Sequence, residues 1–273
     1  MNIAQTLAHA KTLGLDHLEA QTLLLHVLGR DLHDRAWLLL HDQDQPSNQA
    51  QALFNALVQR RLQHEPIAYL TSSQAFHGLT LQVDPRVLVP RPDTETLVDW
   101  ALSLSLSQAR VLDLGTGSGA VALALQHARP HWAVSAVDIS AEALAVARHN
   151  AQRLGMAVHF NQGHWLDGVQ GQFELIVSNP PYIAEGDPHL KALTSEPLQA
   201  LVSGADGLAD IRQIVSQAPS HLVAGGWLLL EHGFDQALAV QALLSQAGFV
   251  QVQSRKDLAG IQRCTGGQWP EVK

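Results

Sequence analysis

A glycine-rich turn set between an apolar strand and a helix constrains this chain more than any other feature. Residues 110–114 read as a short apolar strand and 120–128 as a helix. The turn between them carries Gly115, Thr116, Gly117, Ser118 and Gly119, preceded by Asp113 inside the strand. Glycines at alternate positions let the chain turn tightly and let a ligand approach the backbone. Helical N–H groups beyond such a turn point at that ligand. Alone, the turn fits a dinucleotide site or simply a tight strand-to-helix connection. Its setting narrows the fold. Strands expected at 133–137, 158–161, 173–178 and 226–231 alternate with helices expected at 141–154, 210–222 and 236–247. Alternation of this kind predicts an α/β fold with a mostly parallel, doubly wound, Rossmann-like sheet.

The first 75 residues have a different texture. Ile3 and Leu7 recur at helical spacing, and Leu18, Thr22, Leu25 and Leu28 suggest a second stripe ended by Gly29. Trp37 opens a short apolar run, and Ser47 is a good N-cap for a helix carrying Leu53, Leu57 and Val58. No strand alternation interrupts, so residues 1–75 are expected to form a small helical domain. Residues 76–92 alternate Leu79, Leu81 and Val83 around Gly78, Asp84 and Pro85, which predicts a β-hairpin linker. Residues 93–273 then form the α/β domain, opening on a helix for which Asp93 or Thr94 is the expected cap.

Composition bounds the function. With 46% apolar residues and a net charge of −8, the chain has a core-forming composition without the basic surplus that phosphate binding favours. Cys264 is the one cysteine, which rules out an intrachain disulfide and fits a reducing cytosol. No basic segment with a long apolar run opens the chain, and no stretch of about 18 apolar residues occurs, so a cytoplasmic protein without membrane contact is expected. There are fifteen histidines, but no HExxH pattern and no Cys/His cluster. His127 and His131 share helical spacing, yet Pro130 lies between them. No metal site is expected.

The glycine spacing decides the ligand. A dinucleotide turn reads G-x-G-x-x-G, whereas this one reads G-x-G-x-G after an acidic residue. It resembles motif I of the class I methyltransferases, which implies S-adenosyl-L-methionine as cofactor. Asp138 ends the next expected strand, where a carboxylate reaches two ribose hydroxyls; the plainer alternative is a cap on the helix that follows. Trp165 follows the third strand, where that family's loop lies beside the adenine. Its face suits a purine, and a core tryptophan is the alternative.

Asn179, Pro180, Pro181 and Tyr182 follow the strand at 173–178 directly, at the edge of the sheet where such folds bind ligands. The prolines fix φ, donate nothing and leave their carbonyls free. A planar amide or aryl amino nitrogen is a poor nucleophile because its lone pair is delocalised. The Asn179 side-chain carbonyl and the Pro180 backbone carbonyl can each accept one N–H of such a group, so that its lone-pair face meets a sulfonium methyl. Tyr182 can pack on the target plane or favour the sulfonium through its ring. The proton becomes acidic once the nitrogen is alkylated, so no general base is assigned.

The chain as a whole resembles the release factor glutamine methyltransferases, the PrmC/HemK family. The matching stretches are HEPIAYL (64–70), VLVPRPDTE (87–95), DLGTGSG (113–119), NPPY (179–182), GADGL (204–208), and the run from Gly225 to the EHG at 231–233. His77 departs from the pattern, where an aromatic such as tryptophan is common. The resemblance implies a helical N-terminal domain, a hairpin linker and a seven-stranded methyltransferase domain. It also implies, as substrate, the glutamine of the Gly-Gly-Gln motif in class I peptide chain release factors. The paralogue acting on a ribosomal-protein glutamine typically has Pro-Arg-Ser where this chain has Pro90, Arg91 and Pro92, and lacks the run from Asp93 to Glu95. A DNA amino-methyltransferase uses the same tetrapeptide but must flip its base, and no basic, aromatic-laced segment is present for that. A non-enzymatic adaptor is the third class, and the intact motifs argue against it. Finally, the chain holds its own Gly266, Gly267 and Gln268. These residues fall where the last strands should run, so self-methylation is not expected.

Overall fold

A computed structural model describes residues 1–271 and divides the chain into two compact units, Met1–Ser73 and the remainder from Gln74. The first is all helical: α1 (Ile3–Thr12), α2 (His17–Val27), α3 (Arg35–Leu40), α4 (Asn48–Leu62) and α5 (Ile67–Leu70). Side-chain oxygens cap the first four. Asn2 and Gln5 form a capping box, Asp16 and Asp34 accept from the first turns of α2 and α3, and Ser47 accepts from Ala50 N at 3.2 Å. The core gathers Ile3, Leu23, Leu24, Phe54 and Leu57. The stripe expected on α2 is corrected: Leu18 is exposed, and Ala20, Leu23, Leu24 and Leu25 face inward. Four adjacent leucine or threonine positions fit more than one helical face, and burial against α1 and α4 selects among them. Leu53 is likewise exposed, while its neighbour Phe54 takes the core position.

The second unit opens with an antiparallel hairpin, β1 (Gln74–Phe76) and β2 (Leu79–Leu81). His77 and Gly78 both have positive φ, 45° and 77°, as a two-residue turn of this hand requires. The pairing ends at Leu81, short of the hairpin expected to reach Val89. Beyond it Arg86 folds back onto the Asp84 carboxylate and the chain turns.

There follow α6 (Glu95–Ser103), β3 (Arg110–Leu114), α7 (Ala120–Ala128), β4 (Ala133–Asp138), α8 (Ala141–Leu154), β5 (His159–Gln162) and β6 (Phe173–Ser178). The chain closes with α9 (Ala209–Gln217), β7 (Leu222–Glu231), α10 (Ala237–Gln246), β8 (Val250–Lys256) and β9 (Gln262–Gln268). The seven strands lie in the order β5-β4-β3-β6-β7-β9-β8, and only β9 runs antiparallel to its neighbours. This is the mostly parallel sheet the alternation predicts. Successive residues of β3 serve opposite faces: Val111 packs with α6 and α7, Leu112 with α9 and α10. Each such buried aliphatic side chain contributes about 1.5–3 kcal/mol. Among the described residues no helix is long and apolar enough to cross a membrane.

The strand order reverses between β3 and β6, which are parallel neighbours with Leu114 opposite Ser178. Gly115 and Asn179 are therefore the next residues on two adjacent strands. A pair of motifs 64 positions apart in sequence is brought together by one step of register. Such a switch point leaves a crevice at the carboxyl ends of the strands.

Candidate active site

The glycine turn is held from below. Gly115 N and Thr116 N both donate to Val137 O, at 2.8 and 3.1 Å. The Asp113 carboxylate, buried in β3, accepts the Thr116 hydroxyl at 2.6 Å and Ala122 N at 3.2 Å. Burial pushes the Asp113 carboxyl up to about 7 against the pull of those two donors. Gly117 takes a φ of 55° and has open space where a Cβ would stand. Thr116 and Ser118 are buried, and their side chains turn into the protein.

Asp138 ends β4 beside this turn. Its Oδ2 accepts Gly117 N at 2.8 Å and its Oδ1 accepts Ser140 N at 2.9 Å, so one carboxylate ties the glycine turn to the start of α8. The helix cap is Ser140, whose Oγ accepts Ala143 N at 3.1 Å. Each Asp138 oxygen keeps a second lone pair for a ligand. Burial raises its pKa, and the two backbone N–H groups oppose that rise.

Trp165 sits at a φ of 51° and is almost fully buried. Its Nε1 donates to Asp210 Oδ1 at 3.1 Å, and its ring lies so close to Gly115 that an added Cβ would meet it at 3.1 Å. The indole is both a core residue and a wall of the crevice.

Gly115, Gly117, Asp138, Trp165, Asn179 and Pro181 all line one cavity of about 300 Å³. That is the lower end of the range for small-molecule sites. Thr116, Ser118, Gly119, Pro180 and Tyr182 do not line it. Gly119 instead starts α7, where its missing Cβ admits Leu123 and Ala147. The buried carboxylate, the bare Gly117 backbone and the indole wall fit the hydroxyls and flat base of a nucleoside.

Asn179 follows β6 directly and lines this cavity. Its Nδ2 donates to Thr94 Oγ1 at 3.1 Å, which turns its Oδ1 away from that contact. The donor end of the amide is thus occupied and the acceptor end is available.

A family model described as PrmC N-terminal domain matches residues 2–71, and one described as Methyltransferase small domain matches residues 94–205. A release factor glutamine methyltransferase of Bordetella pertussis is 50% identical over 260 residues, covering 93% of this chain and 95% of that one. The chain belongs to the release factor glutamine methyltransferase family. A Pseudomonas aeruginosa relative carrying the same name is 48% identical, covering 92% of each chain. The crystal structure of a methyltransferase from Pyrococcus furiosus shares the fold, with a TM-score of 0.56 at 21% identity, over 78% of this chain and 98% of that one.

In this release factor glutamine methyltransferase family member, several site residues escape a reading of the sequence. Thr94 is expected to cap α6, but its side chain makes no cap hydrogen bond and turns to Asn179. The signal was its place in the matching 87–95 run. Glu231, in the EHG match, is fully buried with Oε1 at 3.4 Å from the Tyr182 hydroxyl. Burial raises Glu231 to about 7 and pushes the Tyr182 phenol up. Glu196 is buried and accepts both Val89 N, at 3.1 Å, and the Arg91 guanidinium. It ties the segment after β2 to the loop after Tyr182, and both segments line the cavity. No local pattern marks a glutamate 105 residues from its arginine.

Proposed function

We propose that this protein transfers a methyl group from S-adenosyl-L-methionine to the side-chain amide nitrogen (N5) of the glutamine in the Gly-Gly-Gln motif of class I peptide chain release factors. The observation that carries the reading is the pinned Asn179 amide in the wall of the cavity of about 300 Å³. The names of the relatives at 48–50% identity favour a release factor over a ribosomal protein or DNA.

S-adenosyl-L-methionine, when bound, supplies an electrophilic methyl on a sulfonium sulfur. Gly115, Thr116, Gly117, Ser118 and Gly119 form its turn, with Asp138 at the ribose and Trp165 at the adenine. At the target, Asn179 Oδ1 and the Pro180 carbonyl each accept one N–H of the glutamine amide. Held so, the nitrogen offers its lone-pair face, and positioning of this kind is worth up to about 7–11 kcal/mol of barrier. Tyr182 backs the target plane, and Pro181 stiffens the loop. Glycines beside the target glutamine allow its backbone to come close.

The helical unit, expected over residues 1–75, carries no catalytic motif and serves to recognise the release factor, and a release-factor substrate favours a cytoplasmic enzyme. A fragment starting at Gln74 that binds the cofactor but methylates an intact release factor poorly supports that role. Equal efficiency with the full chain contradicts it.

A further inference from the structure

Glu231 is the buried ionisable group beside the reaction centre that the mechanism above does not use. It ends β7 with 1% of its surface exposed. Its Oε1 lies 3.4 Å from the Tyr182 hydroxyl, and its Oε2 is buried without a hydrogen bond of ordinary geometry among the described residues. Ser178 lies opposite Leu230 in the sheet, so Asn179 and Glu231 are the next residues on adjacent strands, and the buried Thr94 hydroxyl accepts Asn179 Nδ2 at 3.1 Å. A hydroxyl has one proton to give. With Asn179 donating to it, Thr94 has its own proton to place, and Glu231, whose Oε2 is buried without a partner among the described residues, is the carboxylate whose ionised form that hydroxyl favours.

We propose that Glu231 is a positioning residue for methyl transfer: acting through the Thr94 hydroxyl, it fixes which end of the Asn179 amide faces the target nitrogen. The inference rests on the reading of Asn179 as the acceptor for the glutamine amide.

The polarity of the chain follows from the charge on Glu231. While it is ionised, Asn179 Nδ2 donates to Thr94, the Thr94 proton turns toward the carboxylate, and Asn179 Oδ1 is left for the cavity. Once Glu231 takes a proton, its O–H can donate to Thr94, and Thr94 can donate to Asn179. The amide then turns over and presents NH2 to the target NH2, donor against donor. The two ends of an asparagine side chain are nearly the same size, so its hydrogen-bond partners decide which end faces the target.

The groups facing Glu231 leave it able to change charge near neutrality. Burial raises it to about 7, while the Thr94 hydroxyl, the Arg263 guanidinium and the Tyr182 hydroxyl favour its ionised form and Asp93 opposes it. Arg263 already pairs with Asp93 and Asp257, both at 3.2 Å, so its charge is shared. On β9, the Cys264 thiol is held protonated by burial. His232, next in the chain, is kept neutral by burial and engages Thr265.

The test is the single-turnover rate of methyl transfer to a release factor by the full chain at saturating cofactor, from about pH 5.5 to 8.5. The wild-type rate is expected to fall as pH drops through about 7, approaching tenfold per unit as for one proton. Glu231→Gln and Thr94→Val should each lower the rate about tenfold or more at pH 8 and abolish that acid limb, while KM for the cofactor changes less than about threefold. Glu231→Asp should restore part of the rate and the limb. A wild-type rate flat across the range, or an acid limb unchanged in Glu231→Gln or Thr94→Val, overturns the proposal. The wild-type profile needs no substitution, so a variant that fails to fold does not leave the question open. Absence of methyl on the release factor at every pH, with cofactor still bound, would instead reject the substrate assignment and this inference with it.

Discussion

Asn179 donates its side-chain Nδ2 to Thr94 Oγ1 at 3.1 Å, which leaves its Oδ1 for the glutamine amide in the proposed reaction. Asn179→Ala should therefore lose turnover by about 10²–10³, the range seen when one preorganised hydrogen-bonding group is removed from a reaction centre. The cofactor should still bind, and the fold should hold, because Asn179 is only half-buried. Asn179→Asp keeps two acceptors but adds charge, and reduced rather than absent activity is expected. Turnover close to wild type in Asn179→Ala would show that the amide is not oriented this way.

Asp138 bridges Gly117 N and Ser140 N, so its loss removes two supports of the turn as well as an acceptor. Asp138→Ala should weaken S-adenosyl-L-methionine binding by about 1.5–3 kcal/mol, the cost of a hydrogen bond to a charged group. Calorimetry on the folded variant checks this, and unchanged affinity would refute the assignment.

Glu196 fastens Val89 and Arg91 to the loop after Tyr182 from a position only 3% exposed at its side chain. Removing one member of a buried pair typically costs about 3–5 kcal/mol because the other is stranded. Here Arg91 is about one-third exposed and can turn to water, so Arg91→Ala should cost more than Glu196→Gln, which keeps an acceptor for Val89 N. Both should weaken cofactor binding, since the fastened segments line its cavity. Denaturant melts and calorimetry on the two variants test the order.

The sheet was legible where apolar runs are bounded sharply. The expected strands at 110–114 and 173–178 and helices at 120–128 and 141–154 coincide with β3, β6, α7 and α8. The helix expected at 210–222 stops at Gln217 and continues as a tighter 3-10 turn to His221, with Pro219 removing a helical donor. The strand after it starts at Leu222 rather than 226, because Gly225 and Gly226 hide four of its residues from an apolar count. Strand β8 is not legible in the sequence: it runs Val-Gln-Val-Gln-Ser-Arg-Lys, half-exposed along an edge, and carries too little apolar contrast. Of the site, the motifs that follow β3, β4 and β6 are readable because their chemistry is local. The contacts of Glu196 and Glu231, and that of Thr94 beyond a cap, are not legible there, because each is made to a partner far away in sequence.

Stability should fall as pH rises through the range set by Asp113. Its carboxyl stands at about 7 in the folded protein against an ordinary 3.8, so between those values the unfolded chain releases a proton that the folded chain keeps. The folded state loses ground across that window, by about 4 kcal/mol at most. Asp113→Asn keeps an acceptor for Thr116 and Ala122 without the titration. Its stability relative to wild type should therefore rise between pH 5 and pH 8 in thermal melts. A constant difference would show that Asp113 is ionised throughout.

The central claim concerns which glutamine is methylated. The chain's own Gly266-Gly267-Gln268 lies in β9, where Gln268 Nε2 donates to Gly225 O at 2.8 Å and its Oε1 accepts from Gln251 at 2.7 Å. Its glycines are there for packing: a Cβ on Gly266 would stand 2.4 Å from Leu229, and one on Gly267 2.9 Å from Phe249. The most direct measurement is mass spectrometry of a class I release factor incubated with the enzyme and isotope-labelled S-adenosyl-L-methionine. A single labelled methyl on the side chain of its Gly-Gly-Gln glutamine is predicted, with none on Gln268 and none when the target glutamine is replaced by a residue without an amide. Label found only on Gln268, on a ribosomal protein or on DNA would contradict the account.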